Sequence, residues 1–284
     1  MQSTAQAVFS LAGRNTQPDI RAFVLSCCES FASFSGFRKS LCFLTALGLN
    51  IPREVINMAD TAMKGSRTYP TAVLLTFMGG FLDAYTYFER GGVFANAQTG
   101  NIIKLGLNIA AGEFLLCVRY LIPILAFVLG ILAVMYIEGW MDRHNGKWKR
   151  RMVLAVECVC FVLVALIPQR EETDIIANTL VSFACAMQMG GFKQFVGQAI
   201  ATTVSTGNLR KAVEFLYTAL SRHDREHLLI SLQYTGIVFI FIFGVIAGAR
   251  ASVYLHTFSI LIPALICVAA ILMITKYNKD RGII

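Results

Sequence analysis

One aspartate interrupts an apolar run at Met78-Gly79-Gly80-Phe81-Leu82-Asp83-Ala84-Tyr85. A carboxylate at mid-membrane depth is costly unless paired, hydrated or protonated, so Asp83 is a candidate to exchange a proton or meet a charged solute. The competing reading is a structural acid, hydrogen-bonded near Tyr85 or Tyr87. Gly79 and Gly80 permit close backbone approach or local unwinding beside it. Lys193 and Gln194 stand at the corresponding place in a later run, Met189-Gly190-Gly191-Phe192. Lys193 either pairs with Asp83 or snorkels towards a membrane surface. Asn96, Gln98, Gln188 and Gln198 add uncharged polar groups that either bind solute or tie helices together.

Two triplets, Thr99-Gly100-Asn101 and Thr206-Gly207-Asn208, each open an amphipathic helix. A helix start presents unpaired N–H groups, so with Thr or Asn as cap the triplets cradle an anion or polar solute, or simply cap. In the second helix Leu209, Ala212, Val213, Leu216 and Leu220 share one face, with Arg210, Lys211 and Glu214 opposite.

Other motifs carry less. His223-Asp224-Arg225-Glu226-His227 matches the H-x-x-E-H zinc pattern, but the only acid after it is Asp280. It reads as a charged helix start. Cys158 and Cys160 point about 200° apart on a helix and do not converge on a metal. Walker and Rossmann signatures do not occur, and neither does a nucleophile–base pair at compatible spacing. The expectation is therefore no enzyme, no cofactor and no metal.

The elements that hold these residues follow from composition. Of 284 residues 56% are hydrophobic and 15% charged, with a mean hydropathy of +0.62. Soluble domains carry about 25% charged residues, so this chain cannot cover a water-facing surface in the usual way. Six stretches are long enough to span a bilayer: about 71–88, 114–138, 152–168, 175–194, 228–250 and 252–275. The third is the weakest, being short and carrying Glu157. Pro123 and Pro263 are expected to kink their spans, and Gly244-x-x-x-Gly248 to allow a close helix crossing.

The net charge of +8 does not imply nucleic acid, because basic residues lie between the apolar runs. Lys and Arg alternate from one connection to the next, 19 on one side and five (Arg90, Lys104, Arg119, Arg170, Arg250) on the other. That alternation predicts six spans with both termini cytoplasmic in the plasma (inner) membrane. Lipid and a small solute are the expected partners; no signal for oligomeric state is present.

Met78-Gly79-Gly80-Phe81 recurs as Met189-Gly190-Gly191-Phe192, Thr-Gly-Asn recurs, and Gly130 matches Gly244 in position. The predicted fold is all-α and integral to the membrane. It has six transmembrane helices in two inverted three-helix repeats, about 71–168 and 175–275, each with a Thr-Gly-Asn-capped amphipathic helix. An odd number of spans per half makes the repeat inverted, as in many secondary transporters. Residues 70–276 form the membrane domain and 277–284 a cytoplasmic tail. Residues 1–69 are an extension: disordered, a surface helix around 20–48, or an over-long start ahead of Met58 or Met63.

The stretch GGFLDAYTYFERGGVFANAQTGNIIKLG resembles the signature of the YoaK family of multi-pass membrane proteins, and MQMGGFKQF with TTVSTGNLRKA is similar to its second motif. The resemblance covers about 71–276. It implies membrane location and six spans, and it brings no biochemical activity with it. It also implies that residues 1–57 are additional to the family's length. On the residues themselves the expected function is a permease for a small polar or anionic solute; the alternative is a non-transporting scaffold or sensor.

Overall fold

The computed structural model describes residues 69–143, 148–192 and 200–280. Those residues form helices and connecting loops, with no strand among them. The helices are α1 (Tyr69–Glu89), α2 (Gln98–Ala110), α3 (Phe114–Arg143), α4 (Lys149–Leu166), α5 (Glu171–Gly191), α6 (Ser205–Arg222), α7 (Arg225–Leu255) and α8 (Leu261–Asp280). Residues 1–68 lie outside the described residues, and with them the expectations for the extension; so do residues 281–284 of the tail.

Two stretches, Phe114–Met141 and Arg225–Lys276, are long and apolar enough to cross a membrane by length and composition. The second is 52 residues long and holds α7, α8 and the 3-10 turn His256–Ile260 between them. The break falls later than residues 250–252, because α7 continues to Leu255 before His256 turns to φ 47°. Pro263 consequently stands in the first turn of α8, where no intrahelical bond is lost. Pro123 does lie inside α3. Helices α4 and α5 open on Lys149-Arg150-Arg151 and on Glu171, Glu172 and Asp174, and α4 buries Glu157, so charge sets both apart from the apolar stretches.

The packing follows glycine. A Cβ on Gly80 would overlap the carbonyl oxygen of Phe241, and one on Gly244 that of Phe77, so α1 and α7 cross backbone to backbone. The Gly244-x-x-x-Gly248 seam is thus intramolecular, with Gly248 against Phe81. On the other side Gly130 of α3 meets the Phe183 carbonyl of α5. The main pairs are α1 on α7 and α5 on α3, α2 on α3 and α6 on α7, α8 on α1 and α4 on α5, and α4 on α8.

What remains outside is apolar. Leu115 is 92% exposed and Tyr136 73%, and exposed Leu, Val and Ile continue along α3, α7 and α8. An apolar exterior of this extent is a surface for lipid rather than water. The short helices follow the same rule, contrary to the usual core-facing arrangement. Helix α6 buries Asn208, Ala212 and Ala219 against the protein, while Leu209, Val213, Leu216 and Leu220 point outward. Small residues let it lie close to α7, where Ser231 Oγ donates to the Ala212 carbonyl at 2.7 Å. Its larger apolar side chains are free to meet lipid.

Candidate functional site

Asp83 lies in the second half of α1, buried, one turn beyond Gly79 and Gly80. Its Oδ1 accepts from the backbone N–H of Asn96 at 2.7 Å and of Ala97 at 3.4 Å. Ala97 is the N-cap of α2 and makes no side-chain cap bond, so Asp83 of the preceding helix supplies the acceptor at this helix start. Asn96 Nδ2 donates to the Gly79 carbonyl at 3.0 Å, closing the loop onto α1. Neither expected tyrosine partner is used: Tyr85 turns away to Arg90 and the Thr257 carbonyl, and Tyr87 only shares a cavity wall with Asp83.

The Thr-Gly-Asn triplets are not caps. The N-caps of α2 and α6 are Ala97 and Val204, neither with a side-chain bond. Asn101 instead reaches back to Phe94, accepting from its N–H at 2.9 Å and donating to its carbonyl at 2.8 Å. Asn208 binds Ala201 in the same way, at 3.1 and 2.6 Å. An amide side chain carries both a donor and an acceptor and can close a loop this way, which a capping hydroxyl cannot. Thr99 and Gly207 are exposed, and Gly100 leaves room for the Phe94 ring. Gln98 donates to the Ala95 carbonyl and accepts from Asn101. Gln188 donates to Thr202 Oγ1 at 2.9 Å and to the Leu75 carbonyl at 3.4 Å, joining α5, α1 and the loop before α6. Gly79 fits under that same loop, since a Cβ there would lie 2.6 Å from the Thr202 oxygen. Lys193, Gln194 and Gln198 lie outside the described residues, and so does the expected Asp83–Lys193 pair.

The two non-helical segments that precede α2 and α6 meet beside Asp83 at a cavity of about 460 Å³. Asp83, Tyr87, Phe94, Thr203, Ser205 and Phe241 line it, with exposed Thr206 at its rim. The hydroxyls of Thr203 and Ser205 are buried and have no hydrogen-bond partner among the described residues. Among the described residues the lining contains one ionisable acid and no Lys, Arg or His. The site can therefore admit a small molecule and offer it a carboxyl group.

Sequence reasoning passed over Thr203 and Ser205, although both flank Val204 directly ahead of a triplet it singled out. It also counted Arg90 as a loop charge. Arg90 is fully buried and all five of its N–H groups are matched: Nε to Tyr85 Oη, Nη1 to Asp174 and the Pro168 carbonyl, Nη2 to the Val164 and Ile167 carbonyls. Asn178 adds a bond to the Arg90 carbonyl at 2.7 Å. This knot ties the end of α1 to α4 and α5. Lys104 likewise directs its ammonium to the Gly92 carbonyl and onto the rings of Tyr87, Phe94 and Tyr120. At the start of α7, Asp224 Oδ1 accepts from Glu226 N–H at 2.9 Å and Oδ2 meets His227 Nδ1 at 2.6 Å. The H-x-x-E-H stretch is therefore a helix start, with Asp224 as N-cap.

Helices throughout the described residues, an apolar exterior and a buried acid make this a membrane protein by class. Residues 71–273 match the family model described as Protein of unknown function (DUF1275), and the chain belongs to that family. It is 25% identical over 209 residues to the UPF0700 transmembrane protein YoaK of Bacillus subtilis (strain 168), covering 72% of this chain and 92% of that relative. No solved structure matches.

Proposed function

We propose that this protein is a permease for a small polar or anionic solute, with Asp83 as its proton-exchanging or solute-contacting group. The observation that carries the reading is the cavity where the segments before α2 and α6 meet, with Asp83 in its wall. A cavity between packed helices, largely apolar with a few polar groups, is a usual place for a small-molecule site. The reading asks for binding and movement only, and not for catalysis.

The architecture proposed with it is six spans in two inverted three-helix repeats. Helices α1, α4 and α5, at 21, 18 and 21 residues, reach about 27–31 Å, close to a hydrocarbon core of about 30 Å. Exchanging α1–α4 for α5–α8 turns the main packing pairs into one another: α1–α7 into α5–α3, α2–α3 into α6–α7, α8–α1 into α4–α5. The pair α4–α8 maps onto itself, as a two-fold relation requires. The Lys and Arg distribution supports cytoplasmic termini and the plasma (inner) membrane. Reporter fusions after Trp148 and after Arg225 should then read cytoplasmic and one after Arg170 the opposite side. A cytoplasmic signal at Arg170 would sink the six-span arrangement.

A second reading, a scaffold or sensor that moves nothing, is favoured by one observation. Gln98, Asn101, Gln188 and Asn208 all direct their polar groups to the protein's own loops and helices. Asp83→Asn in proteoliposomes separates the two. Asn retains an oxygen for the Asn96 N–H but cannot release a proton or present a charge. A permease using Asp83 loses solute flux with the melting temperature held; a scaffold shows neither effect. Poor accumulation, restored by Lys193→Gln, would instead identify a buried pair.

A further inference from the structure

Resting on the permease reading and its two-fold arrangement, we infer that Glu157 carries the coupling proton of this protein. It is a neutral acid while α4 and α8 touch, and a carboxylate once they part and water reaches it. Glu157 stands midway along α4 and is fully buried. Its Oε2 faces the Cys267 thiol of α8 at 3.7 Å, a weak donor that also lies 3.6 Å from Met78 Sδ of α1. Its Oε1 has no hydrogen-bond partner among the described residues. The other titratable groups beside it are the thiols of Cys158 and Cys160 on α4 and of Cys185 on α5. None of these is a cation.

Other buried acids of the bundle are differently equipped. Asp83 accepts from two backbone N–H groups, and Asp174 from Arg90. Either arrangement steadies a carboxylate. No described residue does so for Glu157, so the closed bundle admits its protonated form. Its single bond, from a thiol, is also too weak to make it a tie between helices.

Its position gives that proton a use. Glu157 and Cys267 lie 110 residues apart, close to the 107 between Asn101 and Asn208 and the 111 between Met78 and Met189. Under the two-fold they are counterparts, meeting where α4 packs on α8. Coupling ions of secondary transporters are bound at such an interface between repeats. When the halves part, water enters the α4–α8 contact and the Glu157 O–H bond breaks. The proton passes to water and the electron pair stays on the carboxylate. The bundle closes again once Glu157 has recovered a proton, which links proton movement to the motion of the halves. Asp83 is left to contact solute.

The test is an infrared titration of the purified full-length protein in phosphatidylethanolamine–phosphatidylglycerol liposomes, from acid to alkaline pH. Wild type should show a protonated-carboxyl band at neutral pH that is lost reversibly as pH rises. Glu157→Gln should abolish that band and Asp83→Asn should leave it. Cys267→Ala removes the thiol facing Oε2 and should move the band without removing it. That shift assigns the band to Glu157 should Glu157→Gln fail to accumulate. A band that never titrates in the folded protein, or one unaltered by both changes, overturns the inference. Uptake of labelled glycine, phosphate and choline into the same liposomes, with and without an imposed pH gradient, separates it from the permease reading. Flux above that of protein-free liposomes that the gradient does not change keeps the permease and overturns the inference. A titrating Glu157 with no flux of any probe leaves the inference standing and counts against the permease.

Discussion

Asn101 and Asn208, 107 residues apart in the chain, hold the same station on two helices: each returns seven residues to bind both the N–H and the carbonyl of one loop residue, Phe94 or Ala201. The loops so fastened are the ones that meet beside Asp83. Each amide therefore acts on the cavity through the loop it holds, without lining it.

Replacing either asparagine should loosen one loop. Asn101→Ala and Asn208→Ala each leave a backbone N–H and carbonyl without a partner, at a cost of about 1–3 kcal/mol. Asn→Asp should recover the acceptor half only. Thermal melts in detergent check this, and an Asn208→Ala melt equal to wild type would refute the tie.

Arg90 should resist even conservative exchange. Arg90→Lys supplies three donors from a single point where five in a fork are used, and cannot reach Tyr85, Asp174 and three carbonyls together. Arg90→Met strands Asp174 as well, a loss of about 3–5 kcal/mol. Asp174→Asn added to Arg90→Met should return part of it. Accumulation and Tm of the three proteins report the result, and full tolerance of Arg90→Met would show the knot to be dispensable.

The α1–α7 crossing makes a steric prediction. Gly80→Ala and Gly244→Ala each set a methyl group against a backbone carbonyl that cannot step aside, costing about 1–3 kcal/mol or more. Gly106→Ala, on α2 with open space around it, should instead be neutral or stabilising by about 0.5–1 kcal/mol. Equal melts for Gly80→Ala and Gly106→Ala would contradict the backbone contact.

Asp224 supplies a pH signature outside the spans. The Glu226 N–H, and then His227, hold its carboxyl below the ordinary aspartate value. A folded-state pKa below the unfolded one means that the contribution is present above the unfolded value and is lost as pH falls through the folded one. Asn caps helices comparably and does not titrate. The Tm difference between wild type and Asp224→Asn should therefore change as pH falls below about 4, the unfolded aspartate value. A difference constant with pH would remove the N-cap role.

Several features were legible in the sequence because they are local. Apolar run length and the charged residues between runs place α1, α3, α4, α5 and α7 within a few residues of where they lie. The Gly244-x-x-x-Gly248 spacing predicted a close crossing, and the family motif around Asp83 named its family. The two triplets marked real helix starts. They do not cap, because a Thr-Gly-Asn string shows a capping side chain but not the loop residue seven positions back that competes for it.

What only tertiary structure decided depends on partners distant along the chain. Periodicity identified the apolar face of α6 but not its direction, since in a lipid-facing helix the small residues, not the large ones, turn inward. Arg90 reads as a loop cation until α4 and α5 bring four carbonyl and carboxylate oxygens around it. Thr203 and Ser205 acquire meaning only when the loop before α6 closes over Gly79. Local sequence determines which segments are helical and how apolar they are; burial of a polar group is a property of the assembled bundle, because its desolvation and its partners arrive together.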